Sequence, residues 1–149
     1  QPSTPDTFTG HERILFADDE PALIEIGQEI LATLGYRVET FTSSLEAMAR
    51  FKEAPQDYDL IISDLTMPKM TGEILAQEAM RIRPDIPVIL FTGYSDILSR
   101  ERFLAAGIKD CLMKPLTRKD LATSIRRVLD EKQHPPEAPP KEGEASNDA

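Results

Sequence analysis

Five short apolar runs lie along the middle of the chain, and longer amphipathic stretches separate them. The runs are four or five residues long and rich in aliphatic side chains: Arg13–Ala17, Arg37–Phe41, Leu60–Ser63, Val88–Thr92 and Asp110–Met113. The first, third and fourth are almost continuously apolar, which is typical of strands covered on both faces of a parallel sheet. The second alternates more, as expected of an edge strand.

The stretches between the runs have helical spacing. In the first stretch, residues 22–34, the apolar positions that predict a buried face are Leu23, Ile26, Ile30, Leu31 and Leu34, and Gly35 ends the helix. Ser43 or Ser44 can cap a second helix. Three more helices are predicted at 73–82, 97–106 and about 117–129. This alternation predicts an α/β domain with a doubly wound, five-stranded parallel sheet and helices on both faces.

The two ends of the chain differ in composition from its patterned middle. Residues 1–11 are rich in Pro, Ser and Thr, and residues 133–149 contain four prolines among Glu, Lys, Gly and Ser. Such segments bury too little apolar surface to offset the entropy lost on ordering, so we expect both to be disordered. The folded domain is predicted to span residues 12–132.

Charge and cysteine content exclude several classes of function. The formal net charge of −9 argues against binding to nucleic acid and against direct contact with an anionic membrane. The single cysteine, Cys111, cannot form an internal disulfide, which fits reducing surroundings. No apolar run is long enough to span a membrane, and the first residues lack the pattern of a signal peptide. We therefore expect a cytoplasmic location.

Chemically active side chains follow four of the five apolar runs. In chain order they are Asp18, Asp19 and Glu20 after the first run, Asp64 at the end of the third, Thr92 and Gly93 at the fourth, and Lys114 with Pro115 after the fifth. Ligands of doubly wound sheets bind outside the carboxyl ends of the strands. Taken singly, these residues also fit turns or a helix N-terminus, but their joint placement predicts one polar site.

The residue types at this rim indicate phosphoryl chemistry. Clustered carboxylates repel one another, and one of them takes up a proton unless a cation is present. Oxygen ligands in an open crevice suit Mg²⁺, and a lysine adds a second positive charge. The rim can therefore hold concentrated negative charge near Asp64, as a phosphoryl group bound to that carboxylate would bring.

Four segments make the sequence resemble the response regulator receiver domain of two-component signalling. They are residues 14–21 (ILFADDEP), 64–72 (DLTMPKMTG), 88–93 (VILFTG) and 112–115 (LMKP). The resemblance covers roughly residues 13–129 and implies a flavodoxin-like sheet with strand order 2-1-3-4-5. It is greatest with the C-terminal receivers of hybrid sensor histidine kinases.

The resemblance implies a role for each residue of the rim. Asp64 would accept a phosphoryl group from a histidine kinase or a histidine phosphotransfer domain. Mg²⁺ would be bound by Asp18, Asp19, Asp64 and the backbone carbonyl of Thr66. The phosphoryl group would be contacted and sensed by Thr92, Gly93, Lys114 and Pro115, with a cis bond before the proline. Thr66 and Tyr94 occupy positions that control the access of water.

Cys111 departs from the family pattern, because an aromatic switch residue usually stands three residues before the lysine. We expect a different side-chain readout, for which Phe91, Tyr94 and Met113 are candidates. A phosphatase is less favoured, since Thr66 stands where such enzymes carry an acid/base aspartate. A purely structural module is also less favoured, because the rim is complete. We expect a signalling switch rather than an enzyme, either in a hybrid kinase or as a stand-alone regulator, and a monomer or weak homodimer.

Overall fold

A computed structural model describes residues 10–93 and 97–133 of the chain. Within them, strands and helices alternate in the order β1 (Arg13–Ala17), α1 (Pro21–Thr33), β2 (Arg37–Phe41), α2 (Ser44–Glu53), β3 (Leu60–Asp64), α3 (Gly72–Ile82), β4 (Val88–Thr92), α4 (Ile97–Ala105), β5 (Asp110–Met113) and α5 (Arg118–Gln133). A short 3₁₀ turn, Pro55–Asp57, joins α2 to β3. The predicted alternation is confirmed, and β3 extends one residue beyond its predicted end, so that it includes Asp64.

All four strand pairings are parallel, and the strands are ordered β2-β1-β3-β4-β5. This is the predicted order, with β2 at one edge. All five residues of β3 and of β4 are buried, as expected for strands covered on both faces, whereas β2 is only partly covered. No helix among the described residues is long and apolar enough to cross a membrane.

Alternate residues of each strand supply two apolar cores, one on each face of the sheet. Ile14 and Phe16 point to the core that is completed by α1 and α5, whereas Leu15 and Ala17 point to the core completed by α2, α3 and α4. The sheet therefore lies between two layers of helices. The predicted disordered segments, 1–11 and 133–149, lie almost entirely outside the described residues and stay predictions.

The buried face of α1 differs from the face that its apolar residues predicted. Ile26 is 48% exposed, while the inward stripe runs through Ile24, Gly27, Leu31 and Leu34. The reason lies at Gly27, where a Cβ atom would come within 2.4 Å of the Phe16 ring. The helix can approach β1 this closely only because residue 27 has no side chain, and counting apolar residues does not register such a position.

Replacing Gly27 with alanine should therefore destabilise the domain. Overpacking costs about 1–3 kcal/mol, whereas the better helix propensity of alanine returns up to about 1 kcal/mol. We expect a net loss of about 1 kcal/mol in the free energy of unfolding, measured by urea denaturation. Gln28→Ala, at the neighbouring exposed position, should cost little. A Gly27→Ala variant as stable as the wild type would contradict the close packing of α1 on Phe16.

Candidate functional site

The predicted rim residues converge because the strands are parallel and their carboxyl ends lie at one edge of the sheet. Asp18 directly follows β1, Asp64 ends β3 and Thr92 ends β4. Lys114 directly follows β5, and its backbone N–H donates to the Thr92 carbonyl oxygen at 2.8 Å. The edge strand β2 contributes no residue to this set, as predicted.

The loop after Asp64 folds back against the end of its own strand. The Gly72 N–H donates to the Leu65 carbonyl oxygen at 2.9 Å, and Met67 is buried in the core beneath the loop. A Cβ atom at Gly72 would lie 2.2 Å from the Asp64 carbonyl oxygen, so only glycine fits this close approach of two backbone segments. These loop contacts hold the main chain at Asp64 in place.

Three carboxylates form the centre of the site. Asp18, Asp19 and Asp64 each offer an oxygen, and these oxygens all lie within 4.8 Å of one another. Asp18 is fully buried and Asp64 is 4% exposed, whereas Asp19 is exposed. Oδ1 of Asp18 accepts the Glu20 backbone N–H at 2.8 Å, but its buried Oδ2 accepts no hydrogen bond from the described residues.

Lys114 supplies a cation beside two of these carboxylates. Its Nζ lies 3.3 Å from Oδ1 of Asp64 and 3.8 Å from Oδ2 of Asp18. The ammonium also lies 5.4 Å from the centre of the Phe91 ring, a cation–π contact that helps to hold it at the rim. The Lys114–Pro115 peptide bond is cis, as the resemblance implied.

The carboxylates are short of compensating positive charge. Burial raises the pKa of Asp18 to about 6; the Glu20 N–H opposes this shift and the neighbouring Asp64 adds to it. Burial likewise raises the pKa of Asp64, although Lys114 opposes the rise. A buried oxygen without a hydrogen bond and two raised carboxylate pKa values are the features that a bound divalent cation would relieve. The three carboxylates therefore fit such an ion.

The other predicted site residues surround this centre. Thr92 is buried, while Gly93 and Thr66 are exposed at its margin. The Thr66 backbone hydrogen-bonds the Asp64 carboxylate and lowers its pKa, though less than Lys114 does. Tyr94, predicted to control access, lies outside the described residues, so its role stays a prediction.

Cys111 lies on β5 and packs half-buried against the core formed with α2 and α3. Burial raises the pKa of its thiol, which therefore stays protonated near neutral pH. The Cys111 backbone carbonyl accepts a hydrogen bond from Nη1 of Arg100 on α4 at 2.6 Å. A contact between α4 and β5 is thus made through the main chain at the position where the family carries an aromatic residue.

A charged cluster that the sequence patterns did not predict lies next to Cys111. The Asp110 carboxylate is 6% exposed and accepts four hydrogen bonds: from Ser124 Oγ at 2.6 Å, the Cys111 N–H at 2.8 Å, Arg127 at 2.8 Å and Arg100 at 3.2 Å. It links β5 to both α4 and α5. The one sequence feature that pointed to this cluster was an aspartate, Asp110, at the start of an apolar run. The periodicity of a strand does not predict which residues such an aspartate contacts.

Comparison with known proteins agrees with this geometry. The family model of the response regulator receiver domain matches residues 14–126. The chain is 37% identical over 125 residues to the probable transcriptional regulator ycf27 of Galdieria sulphuraria, covering 83% of this chain and 48% of the relative. It is 31% identical over 123 residues to the sensor kinase CckA of Brucella abortus (strain 2308), covering 83% and 13%. The chain thus spans about half, or much less, of the length of these relatives.

Solved receiver structures have the same fold. A response regulator receiver domain protein from Clostridium thermocellum is 31% identical, with a TM-score of 0.78 over 82% of this chain and 97% of that one. A CheY-like receiver domain protein from Methanospirillum hungatei JF-1 is also 31% identical, with a TM-score of 0.75 over 83% and 98%. The comparisons therefore agree on both family and fold.

The Asp110 cluster predicts a pH-dependent contribution to stability. Burial acts to raise the pKa of Asp110, but the Ser124 hydroxyl, the Cys111 N–H and the two guanidinium groups outweigh it and lower the pKa. A carboxyl group whose pKa is lowered by folding stabilises the native state above its unfolded pKa of about 3.9. That contribution is lost as the pH falls through the lower, native pKa.

Asp110→Asn should therefore lower the free energy of unfolding by about 2 kcal/mol at pH 7, since hydrogen bonds to a charged group are lost. The difference from the wild type should shrink below about pH 4, where the wild-type carboxyl becomes protonated. Urea denaturation across this pH range measures both effects. Glu131→Gln removes an exposed partner of the same Arg127 and should cost under about 1 kcal/mol. A pH-independent difference would contradict the assignment to the Asp110 charge.

Proposed function

Since this chain belongs to the family of response regulator receiver domains, which accept phosphoryl groups in two-component signalling, we propose that Asp64 is its phosphoacceptor. The observation that carries the proposal is the placement of the Asp64 carboxylate, 3.3 Å from the Lys114 ammonium and beside Asp18 and Asp19. Lys114 lies closer to Asp64 than to Asp18, at 3.3 Å against 3.8 Å, and Asp64 is the less completely buried of these two carboxylates.

The transfer at Asp64 is a nucleophilic displacement at phosphorus. A carboxylate oxygen of Asp64 forms the new P–O bond while the P–N bond to a histidine of the donor breaks, and the leaving imidazole takes a proton from solvent. Lys114 supports the step in two ways. Its charge opposes the rise in the pKa of Asp64 that burial causes, and it lies where it can contact an oxygen of the transferred group.

Asp18, Asp19 and Asp64 would hold Mg²⁺, with the Thr66 backbone carbonyl as a further ligand. Their oxygens are the hard donors that this ion prefers, and the exposed position of Asp19 leaves room for bound water. The ion would supply positive charge against the carboxylates and against the transferred phosphoryl group.

The rest of the rim would read and protect the phosphoryl group. Thr92 and Gly93 lie at the end of β4, where a hydroxyl and an open backbone can contact phosphoryl oxygens. Thr66 and Tyr94 would limit the access of water. The family is one of signalling domains rather than of conventional enzymes. Because position 66 is a threonine without an acid/base group, loss of the phosphoryl group would be slow unless a partner assists it.

The proposed partners are a histidine kinase or a histidine phosphotransfer domain. The similarity to the sensor kinase CckA supports a place within a hybrid sensor kinase, and the similarity to ycf27 fits the alternative of a stand-alone response regulator. In either case, we propose that the domain works as one step of a phosphorelay. A cytoplasmic location and a monomeric or weakly dimeric state stay predictions from the sequence.

Substitution of Asp64 tests the phosphoacceptor directly. With a small-molecule phosphodonor and Mg²⁺, the wild type should gain one covalent phosphoryl group, detected by intact-protein mass spectrometry. Asp64→Asn should gain none, because the amide is not a nucleophile. Asp120→Asn, which removes an exposed carboxylate at the start of α5, should label as the wild type does. Equal labelling of the wild type and Asp64→Asn would refute the proposal.

The metal site is tested by two neighbouring acids. Asp19→Asn removes a proposed ligand, and we expect Mg²⁺ affinity to fall at least about tenfold, or about 1.4 kcal/mol. Glu20→Gln removes an adjacent exposed charge outside the carboxylate group and should change the affinity only slightly. Amide NMR shifts during a Mg²⁺ titration measure both. An equal loss in the two variants would indicate a general charge effect rather than ligation by Asp19.

A further inference from the structure

A second concentration of charge lies at the opposite end of the strands. Arg13 and Arg37 are the first residues of β1 and β2 and are paired in register, so their side chains leave the same face of the sheet. A cavity of about 450 Å³ opens beside them and is also lined by Glu39, Arg50 and Tyr58. We call this cavity, defined by these five residues, the arginine pocket.

Within the part of the chain that the structure describes, nearby acids neutralise only one of the three arginines of the pocket. Arg50 lies 3.6 Å from Glu39, 3.3 Å from Asp57 and 4.0 Å from Glu53. Among the residues that the structure describes, the Arg13 and Arg37 guanidinium groups form no ion pair within 4.0 Å. The nearby Asp59 uses its Oδ2 on the Arg13 backbone N–H instead, at 2.9 Å.

Contacts with Tyr58 position three of the side chains that line the pocket. The guanidinium carbons of Arg13 and Arg50 lie 5.7 and 5.6 Å from the centre of the Tyr58 ring, in cation–π contact. Tyr58 is fully buried, and its hydroxyl donates to the Glu39 carboxylate, which fixes that side chain in the wall of the pocket. Arg13, Arg50 and Glu39 are therefore arranged around one buried ring.

Without a bound anion, the positive charges of Arg13 and Arg37 repel each other. Like charges directly opposite on neighbouring strands destabilise a sheet, and this pair lies in a chain whose net charge is −9. A bound anion would remove the repulsion and use both guanidinium groups, whose fork geometry matches the oxygens of a phosphate.

We propose that the arginine pocket binds a small organic phosphate of about mononucleotide size. Arg13 and Arg37 contact the phosphate oxygens, and the Glu39 carboxylate accepts a hydrogen bond from a hydroxyl or amino group of the organic part. The volume of about 450 Å³ lies within the range of small-molecule sites, which is about 300–1,000 Å³. This site is separate from the Asp64 rim, at the other end of the sheet.

The test is an NMR titration of the full chain with AMP, ribose 5-phosphate, adenosine and inorganic phosphate. AMP should give saturable shifts at Arg13 and at residues 37–39, whereas adenosine should not. Affinity should fall at least tenfold in the double variant R13Q/R37Q. R102Q, which removes an arginine paired with Glu73 on the helices α4 and α3, should bind AMP as the wild type does. Asp64→Asn should also bind normally, which separates this site from the phosphoacceptor.

The single variant R37Q is a control for misfolding of the double variant. Residue 37 is exposed on an edge strand, so its substitution should leave the fold intact. Without ligand, R37Q should unfold at the same or a higher urea concentration than the wild type, since a repulsion is removed. A lower midpoint would indicate a structural role and overturn the proposal. Absence of AMP binding, equal binding by R13Q/R37Q and R102Q, or equal affinity for inorganic phosphate and AMP would also overturn it.

Discussion

The constraint on which the site depends is that two buried carboxylates are held side by side. Asp18 and Asp64 are almost fully buried, and repulsion and desolvation both favour protonation. They cannot move apart, because β1 and β3 are neighbours in a hydrogen-bonded register. The strain is therefore relieved by positive charge, from Lys114 and from any cation that the rim binds. An acidic rim that is short of positive charge is therefore suited to bind a divalent cation.

The alternation of parallel strands and helices also orders charge along the sheet. Each helix begins near the carboxyl end of the preceding strand, so the positive ends of α1 and α3 lie next to the acidic rim, and their dipoles favour negative charge there. The helices end at the opposite side, where the last turn of α2 carries Arg50 and Lys52. Arg13 and Arg37 lie at the same end. The two ends of the sheet thus differ in charge: the acidic end suits a cation, and the end with the arginines suits an anion.

How far the sequence predicts this molecule depends on the range of the interaction. The strand ends could be predicted because continuous apolar runs report burial locally, and Asp64 follows directly from the end of such a run. Ile26 was misassigned because the close approach of Gly27 to Phe16 depends on two elements packing together. Asp110 and its partners, and the pairing of Arg13 with Arg37, depend on strand register and on helix placement. Such contacts join residues far apart in the chain, and periodicity within one segment does not report them.

The contacts around Cys111 suggest how the rim can influence a surface without an aromatic switch residue. The Lys114 N–H donates to the Thr92 carbonyl oxygen, which joins the ends of β4 and β5 beside Asp64. On the same strand, Arg100 binds the Cys111 carbonyl and the Asp110 carboxylate, which joins α4 to β5. These bonds involve the backbone at position 111 and a neighbouring carboxylate, so they do not require a large side chain there. A change in the position of β5 would reach α4 and α5 through Asp110 whichever residue stands at 111.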